Sequence, residues 1–171
     1  GYRIALPVSS PVTKFEDLPL SESMVAALRA VGYEKPTPIQ AATIGPGLEG
    51  RDIVGAAQTG TGKTAAFLIP LIERMHAARA RGESPVALIL SPTRELAEQI
   101  HGWAERLGPD LDSALILGGM KYEPQIKALQ NLPSLIIATP GRLYDHLEQR
   151  VLTLEHVTAF VLDEADRMLD M

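Results

Sequence analysis

The stretch that decides the fold is Ala57-Gln58-Thr59-Gly60-Thr61-Gly62-Lys63-Thr64, which lies between the apolar run Ile53–Ala56 and a segment of helical periodicity. It matches the phosphate-loop pattern G-x-x-x-x-G-K-[ST], with alanine in place of the first glycine. Glycines in such a loop let backbone N–H groups curl around phosphate oxygens at the positive end of the following helix. An ordinary glycine-rich turn is the alternative, and the strand–loop–helix context favours a nucleotide-phosphate site.

Two side chains of this stretch carry specific chemistry. Lys63 is expected to neutralise the β- and γ-phosphates of a nucleotide. The hydroxyl of Thr64 is expected to serve as a ligand of Mg²⁺, mostly through water.

A second signal lies where the apolar run Ala159–Leu162 leads into Asp163-Glu164-Ala165-Asp166. A strand that ends in two acids can supply a carboxylate for Mg²⁺ and a neighbouring carboxylate that orients or activates water. Asp163 is the candidate metal ligand and Glu164 the candidate base. Alone, these residues would be interpreted as solvated acids at a strand end, and the phosphate loop upstream reverses that preference.

The remaining sequence alternates between short apolar runs and helical segments, which predicts an α/β fold with a parallel sheet covered on both faces. In such sheets a ligand binds beyond the carboxyl ends of the strands. The predicted strands are Ile53–Ala56, Val86–Leu90, Ala114–Leu117, Leu135–Ala138 and Ala159–Leu162, and the predicted helices are Ser21–Val31, Thr64–Ala80 with a kink at Pro70, Arg94–Leu107, Glu123–Gln130 and Arg142–Arg150.

The composition is that of one globular domain of 171 residues, with 46% hydrophobic and 22% charged residues. Because the net charge is −5, there is no global basic field for nucleic acid, and any contact with nucleic acid must rest on a local patch. No apolar run reaches the ~18 residues of a membrane span. The absence of cysteine favours an intracellular, cytoplasmic setting. The four histidines show no ligand spacing, so no zinc site is predicted.

Asp163-Glu164-Ala165-Asp166 resembles the signature of the DEAD-box ATP-dependent RNA helicases, and other motifs of their first domain occur in order. The resemblance runs from Phe15 to Met171, and it implies the amino-terminal RecA-like domain, a P-loop NTPase fold, preceded by an extended arm or linker at residues 1–14. Alanine at position 57 is usual in that family. The matching stretches are Gly32–Gln40 for the Q motif, with Phe15 upstream, then Pro92–Ala97, Gly118-Gly119 and Thr139-Pro140-Gly141-Arg142.

The resemblance implies an adenine pocket for ATP. Gln40 would read the adenine edge with its amide, and Tyr33 would stack on the base with support from Phe15. Lys35 and Pro36 would complete this pocket, next to the phosphate loop from Ala57 to Thr64. The alternative for Gln40 is a capping box, in which Thr37 is the N-cap, Pro38 the first helical residue and Gln40 the N3 residue.

The resemblance also implies a groove for the RNA sugar–phosphate backbone, with little sequence specificity. From the residues alone, Arg94 could equally form an exposed ion pair at a helix start, and Thr139 could be a plain N-cap. Asp166 would take part in interdomain coupling, or would simply be an acid at a helix start. The residues of the groove would be Pro92, Thr93, Arg94, Gly118, Gly119, Thr139, Pro140, Gly141 and Arg142.

In that family a further helix and strand follow the acidic motif, and a second RecA-like domain completes the ATP site. The sheet of this chain is therefore expected to be truncated after the acidic-motif strand. The chain is expected to bind ATP with Mg²⁺ but to hydrolyse it very slowly without its second domain. Two other functions remain open: a nucleotide-gated RNA-binding scaffold without turnover, and a RecA-type recombinase or DNA helicase.

Overall fold

The computed structural model describes residues 14–37, 40–41, 44 and 61–162, of which 61–63 are described by their backbone alone. The predicted arm through residue 13, the predicted strand Ile53–Ala56 and the loop residues from Ala57 to Gly60 lie outside the described residues, as do the acidic residues Asp163, Glu164 and Asp166. The elements are a 3-10 turn at Phe15–Asp17, helices α1 Glu22–Ala30, α2 Thr61–Ala80, α3 Arg94–Leu107, α4 Tyr122–Gln130 and α5 Pro140–Glu148, and strands β1 Ala87–Leu90, β2 Ser113–Ile116, β3 Leu135–Ala138 and β4 Ala159–Leu162.

The four described strands form one parallel sheet in the order β2-β3-β1-β4. Leu90 of β1 is in register with Ala138 of β3 and with Leu162 of β4. Parallel neighbours need crossover connections, and β1, β2 and β3 are each followed by a helix that returns the chain to the level at which the next strand begins. The α/β fold with a parallel sheet is thereby confirmed.

Two hydrophobic clusters pack on opposite faces of this sheet, as alternation along the strands requires. Ile89 and Ile137 belong to the cluster shared with α1, α2 and α3, whereas Leu88 and Ile136 belong to the cluster shared with α4 and α5. β1 and β3 carry apolar side chains throughout because both of their faces are covered. In β4, by contrast, Phe160 is 51% exposed.

Several predicted boundaries shift by one to three residues. Helix α2 begins at Thr61 instead of Thr64, and it continues through Pro70 to Ala80. Helix α5 begins at Pro140, because Pro fits the first turn, where its missing N–H is not needed. It ends before Arg150, whose φ of +57° is left-handed. The exposed Glu148 and Arg150 lie on a solvated face.

Helical periodicity predicts an apolar stripe of Leu96, Ile100, Trp103 and Leu107 on α3, and the buried face of the helix differs from it in detail. Ala97, Ile100, Ala104 and Leu107 are buried. Leu96 is half-buried, and Trp103 packs against the core from a half-buried position. Ala97 and Ala104 thus share the buried face with Ile100 and Leu107, whereas Leu96 and Trp103 lie at its sides.

The end of α1 fixes the start of the Q-motif segment. Gly32 has φ +84° and follows the helix, which suits its lack of a Cβ. The N–H of Tyr33 then donates to the carbonyl of Leu28 at 2.8 Å. At the other end of α1, the Ser21 hydroxyl caps the helix and also donates to Glu73 of α2 at 2.7 Å. This hydrogen bond links α1 to α2, so the Q-motif segment follows a helix whose position is fixed by α2.

Candidate functional site

The loops that follow β1, β2 and β3 open at one edge of the sheet, because the carboxyl ends of parallel strands lie together. They carry the motif residues Pro92 to Arg94, Gly118-Gly119 and Thr139 to Arg142. The strand order brings these three loops side by side, with the end of β4 next to that of β1. Leu162, the residue before Asp163, ends β4 at this same edge. The motifs that are scattered in sequence are therefore neighbours in the fold.

The loops after β2 and β3 are joined directly. The backbone N–H of Gly118 donates to Oγ1 of Thr139 at 3.2 Å, and the N–H of Thr139 donates to the carbonyl of Ile116 at 3.0 Å. Thr139 is the N-cap residue of α5, yet its side chain makes no capping bond to that helix. The prediction of Thr139 as a plain N-cap thus describes its position, while its hydroxyl is used to hold the neighbouring loop.

The glycine pair is exposed and conformationally special. Gly119 has φ +78°, a left-handed conformation that residues with a Cβ rarely adopt. An added Cβ would find no atom within 4 Å at either Gly118 or Gly119, so the space above this loop is open. An extended ligand could approach the backbone of the loop without obstruction.

The loop after β1 leads into α3, where Arg94 forms the exposed ion pair at a helix start that the sequence allowed as an alternative to an RNA contact. Oγ1 of Thr93 accepts from the N–H of Leu96 at 3.2 Å and caps α3. Arg94 donates from Nε to Glu98 at 3.2 Å, an i,i+4 ion pair in which the Arg94 side chain stays 49% exposed. Ser91 is buried, and its hydroxyl has no hydrogen-bond partner among the described residues. Arg94 therefore offers a half-exposed cation at this edge.

Arg142 is turned inward, with a side chain only 15% exposed. Its Nη1 donates to the carbonyl of Met120 at 2.9 Å and to Oε1 of Gln125 at 3.2 Å. Its guanidinium also lies 5.4 Å from the centre of the Tyr122 ring. Arg142, which the resemblance assigns to the RNA groove, thus also contacts the loop after β2 from its buried side.

Three residues beneath this edge, Gln125, His146 and Tyr122, belong to none of the sequence motifs. Gln125 and His146 are buried, and Oε1 of Gln125 lies 2.9 Å from Nε2 of His146. Tyr122 stacks on the His146 ring with centroids 4.3 Å apart. The sequence did hold a signal, since Gln125 stands four residues before Leu129 and His146 three after Leu143, so each lies on the apolar stripe of its helix. Lys121, exposed and next to this loop, is a fourth residue that was missed.

The described part of the Q-motif segment packs against α3. Tyr33 stacks on Trp103 with ring centroids 5.2 Å apart, and the guanidinium of Arg106 lies 5.2 Å from the Trp103 ring centre. Phe15 is 2% exposed and belongs to the core. Lys35 is exposed and Pro36 half-buried. A cleft of about 450 Å³ opens beside this segment, lined by Lys14, Glu16, Arg29, Gly32, Glu34 and Lys35.

Two charged residues frame that cleft. Arg29 of α1 and Glu16 both line it, and Arg29 donates to Glu16 at 2.5 Å. The hydrogen bond from Arg29 lowers the pKa of Glu16 below its ordinary value, so this carboxyl group stays charged to lower pH. Both side chains are largely exposed, at 66% and 43%, so the pair contributes little to stability.

Gln40 takes part in the capping box that the sequence allowed. The N–H of Thr37 donates to Oε1 of Gln40 at 2.9 Å, and the N–H of Gln40 points back to Oγ1 of Thr37 at 3.3 Å. Gln40 is 1% exposed. The capping box is therefore present, and its bond from Thr37 engages the carbonyl oxygen of the Gln40 amide.

The phosphate-loop pattern ends in the first turn of α2, where Lys63 and Thr64 follow Thr61 in helical conformation. The first N–H groups of a helix have no partner within it, and its dipole favours anions there. A lysine and a hydroxyl at this position are the residue types that suit a phosphate and its Mg²⁺. Thr64 is half-buried. The part of this site that the structure describes therefore fits the group that the sequence predicted.

The structure offers no competing metal site within its described ranges, where no group of three or more His, Asp and Glu side chains comes together. Within the same ranges, no helix combines the length and apolar character needed to cross a membrane.

Comparison with known proteins agrees with this arrangement. Residues 37–171 match the DEAD/DEAH box helicase family. The chain is 47% identical over 162 residues to the ATP-dependent RNA helicase CshA of Limosilactobacillus reuteri, covering 92% of this chain and 32% of that protein. It is 47% identical over 160 residues to DEAD-box ATP-dependent RNA helicase 28 of Oryza sativa subsp. japonica, covering 92% of this chain and 20% of that protein.

A third relative, the ATP-dependent rRNA helicase RRP3 of Vanderwaltozyma polyspora, is 48% identical over 161 residues, which cover 92% of this chain and 31% of that protein. The chain thus spans between a fifth and a third of the length of these relatives. The family match covers most of the chain and includes every motif from Gln40 onwards. The chain belongs to the DEAD/DEAH box helicase family.

Proposed function

We propose that this chain is the ATP-binding first domain of an ATP-dependent RNA helicase, which remodels or unwinds RNA using the energy of ATP hydrolysis. The observation that carries the proposal is the convergence of three motif loops at the carboxyl edge of the sheet, next to the strand that leads into Asp163. The names of the relatives, ATP-dependent RNA helicases, give the chemistry that such an edge would serve.

The RNA-binding part of the proposal rests on exposed backbone and cations at that edge. The loop at Gly119, which is open to solvent, and the start of α5 offer backbone N–H groups for phosphate oxygens. Arg94 and Lys121 add exposed positive charge in a chain whose net charge is −5. Pro92, Thr93, Pro140 and Gly141 shape the loops between these groups. Contacts of this kind bind the RNA backbone and give little sequence specificity.

The nucleotide part of the proposal assigns the phosphates to residues 57–64 and the adenine to Gln40, Tyr33, Phe15, Lys35 and Pro36. Bound Mg²⁺, held by Thr64 and Asp163 mostly through water, would neutralise charge on the phosphates. Lys63 would bind the β- and γ-phosphates, and Glu164 would orient or activate the attacking water. The start of α2 at Thr61 supports this assignment, since Lys63 and Thr64 fall in the first helical turn.

The whole protein would carry a second RecA-like domain that completes the ATP site, with Asp166 in the coupling between domains. The share of the relatives that this chain covers leaves room for such a domain. An arginine supplied from outside a phosphate-loop domain can contribute roughly 10³–10⁵ in rate. We therefore expect the isolated chain to bind nucleotide and to be nearly inactive as an ATPase, within a cytoplasmic protein.

The test compares ATP hydrolysis by the whole natural protein and by this chain alone, each with single-stranded RNA or DNA of the same sequence. We expect RNA to stimulate hydrolysis by the whole protein far more than DNA does, and the chain alone to stay near background. Stimulation by DNA as strong as by RNA would favour a DNA helicase. RNA binding without any turnover would favour a nucleotide-gated scaffold. Robust RNA-stimulated hydrolysis by the chain alone would contradict the expected inactivity.

A Glu164→Gln variant of the whole protein is the informative change, since it removes the charge and basicity of the proposed base while conserving its size. It should lose hydrolysis and keep nucleotide binding. The exposed Glu155 gives a matched control, Glu155→Gln, which should hydrolyse ATP like the natural protein.

A further inference from the structure

A buried polar cluster lies beneath the proposed RNA-binding edge, between α4 and α5. It consists of Gln125 and Tyr122 of α4 and Arg142 and His146 of α5. His146 is 0% exposed and Gln125 is 5% exposed. Such groups are costly to bury unless their hydrogen bonds are made. The partners of these hydrogen bonds therefore indicate the role of the cluster.

The direction of each hydrogen bond in the cluster is fixed by the amide of Gln125. Its Nε2 donates to the carbonyl of Leu117 at 2.8 Å, so its Oε1 faces Arg142 and His146. Because that oxygen only accepts, Nε2 of His146 must carry the hydrogen and donate to it. In the neutral ring Nδ1 is then bare, and it has no partner among the described residues. His146 is thus held as one tautomer by one glutamine.

The bonds of the cluster lead to the backbone of the loop after β2, residues 117–120. Gln125 holds its first carbonyl, that of Leu117, and Arg142 holds its last, that of Met120, at 2.9 Å. Between these two points, Gly118 donates to Thr139. The four-residue loop is therefore fastened at both ends and in the middle by side chains from α4, α5 and the α5 N-cap.

The cluster is poorly suited to a purely stabilising role. It leaves two buried polar atoms, Nδ1 of His146 and the hydroxyl of Tyr122, without hydrogen-bond partners in the described part of the chain. A buried polar group without a partner loses its hydrogen bonds to water and gains none in return. Apolar side chains of similar volume would fill the same space at no such cost. What apolar side chains could not do is hold the carbonyl groups of an exposed glycine loop in place.

We propose that Gln125 and His146 are positioning residues of the RNA-binding edge, which fix the loop at residues 117–120 relative to the start of α5. The inference rests on the proposed function, because it assumes that this edge binds the RNA backbone. Neither residue touches RNA in this account. Gln125 acts through the loop, and His146 acts through Gln125, whose amide it keeps turned towards Leu117.

The test measures the affinity of the whole natural protein for a single-stranded RNA by fluorescence anisotropy, together with its affinity for a fluorescent ADP. Gln125→Met removes all three hydrogen bonds of the amide and nearly conserves its shape. His146→Phe keeps the stacking partner of Tyr122 and removes the donor. His146→Gln removes the ring and keeps an N–H donor near the position of Nε2. Gln130→Met, on the exposed side of the same helix, and His156→Phe, at an exposed loop residue, are the matched controls.

We expect Gln125→Met and His146→Phe to weaken RNA binding about three- to tenfold, since each loses hydrogen bonding that fixes the loop. His146→Gln should bind RNA closer to the natural protein than His146→Phe does, a rescue that ring packing alone would not give. Nucleotide affinity should stay unchanged in all three. The double variant Gln125→Met/His146→Phe should be no weaker than Gln125→Met, because both changes act through one amide.

Natural RNA affinity in both Gln125→Met and His146→Phe would overturn the inference and leave the proposed function standing. A loss of RNA binding in His146→Gln as large as in His146→Phe would also overturn it, since the hydrogen bond would then not matter. If Gln125→Met fails to fold, the comparison of the two His146 variants still decides. If the natural protein does not bind RNA, the proposed function is wrong. The inference, which rests on that function, is then wrong as well.

Discussion

Gly118 donates its backbone N–H to the side-chain hydroxyl of Thr139 at 3.2 Å. This bond joins two loops that are 21 residues apart in sequence and neighbours at the edge of the sheet. It uses the hydroxyl of an N-cap residue for a bond between loops, whereas N-cap side chains ordinarily bond their own helix. The shape of the proposed RNA-binding edge thus depends on Thr139 even apart from any contact that Thr139 makes with RNA.

Thr139→Val should therefore weaken RNA binding several-fold, because it removes a hydrogen bond of about 0.5–1.5 kcal/mol and conserves the branched shape. Thr139→Ser, which retains a hydroxyl, should bind RNA closer to the natural protein. The measurement is RNA affinity by fluorescence anisotropy, with Thr153→Val in the exposed loop before β4 as the control. Equal RNA affinities for Thr139→Val and the natural protein would contradict the prediction.

The stack of Tyr33 on Trp103 should couple the Q-motif segment to α3 energetically. Aromatic pairs at this separation contribute about 0.5–1.5 kcal/mol beyond the area they bury. A double-mutant cycle with Tyr33→Leu and Trp103→Leu should give a coupling free energy of that size, measured by urea unfolding of the chain followed by circular dichroism. A control cycle that combines Tyr144→Leu, at an exposed tyrosine, with Trp103→Leu should give a coupling free energy near zero. Additive effects of Tyr33→Leu and Trp103→Leu would show that the contact is not maintained in solution.

Stability should fall in mildly acidic solution, in part through His146. Burial lowers the pKa of His146 below the ordinary value of 6.5, and the nearby Arg142 lowers it further, while Asp145 opposes the shift. The unfolded chain therefore takes up a proton that the folded chain resists. The contribution of neutral His146 to the free energy of unfolding is complete above about pH 6.5 and is lost as the pH falls below it.

The measurement is the free energy of unfolding between pH 8 and pH 5 for the natural chain and for His146→Phe. The loss of stability on acidification should be smaller in His146→Phe, which has no imidazole to protonate. Gln125 and Tyr122, the other side chains that contact the ring, carry no charge that would offset this effect. His156→Phe, at an exposed position, should retain the natural dependence. Parallel pH profiles for the natural chain and His146→Phe would refute the assignment.

Gln40→Glu separates the two roles that the sequence left open for Gln40. A glutamate at this position can still accept from the Thr37 N–H, because Glu and Gln serve equally in a capping box. It loses the amide donor needed to read both polar groups of an adenine edge. We expect both Gln40→Glu and Gln40→Ala to reduce the preference for ATP over GTP, whereas only Gln40→Glu keeps an acceptor for the Thr37 N–H, at the cost of a buried carboxylate. If Gln40→Glu keeps its preference for adenine, Gln40 serves the helix cap alone.

The fold was largely predictable because alternating apolar runs and helical stripes report burial directly. The strands β1 to β4 and the helices between them lie within three residues of their predicted bounds, and the parallel order follows from the crossover helices. The shifts occur where local chemistry acts against periodicity. Pro140 starts α5 two residues early, and the small residues Ala97 and Ala104 move the buried face of α3 away from Trp103.

The edge of the sheet was predictable only in part. Short motifs mark residues that face outward, and those motifs located the loops at 92–94, 118–119 and 139–142. The support beneath them was not predicted, because Gln125 and His146 belong to no motif and are polar residues in apolar stripes. Gln125 and His146 are 21 residues apart, and they meet only because the fold brings α4 and α5 together. The sequence therefore does not predict their contact. The inward turn of Arg142 was missed for the same reason.

The central claim, that this chain forms a site for an adenine nucleotide, is tested most directly by titrating the purified chain with fluorescent ADP, with and without Mg²⁺, against ATP and GTP. The account predicts saturable, Mg²⁺-dependent binding that ATP displaces better than GTP does. It also predicts loss of this binding in Lys63→Ala and its retention in Lys127→Ala, a change at an exposed lysine of α4. No saturable binding by the natural chain, or equal binding by Lys63→Ala, would contradict it.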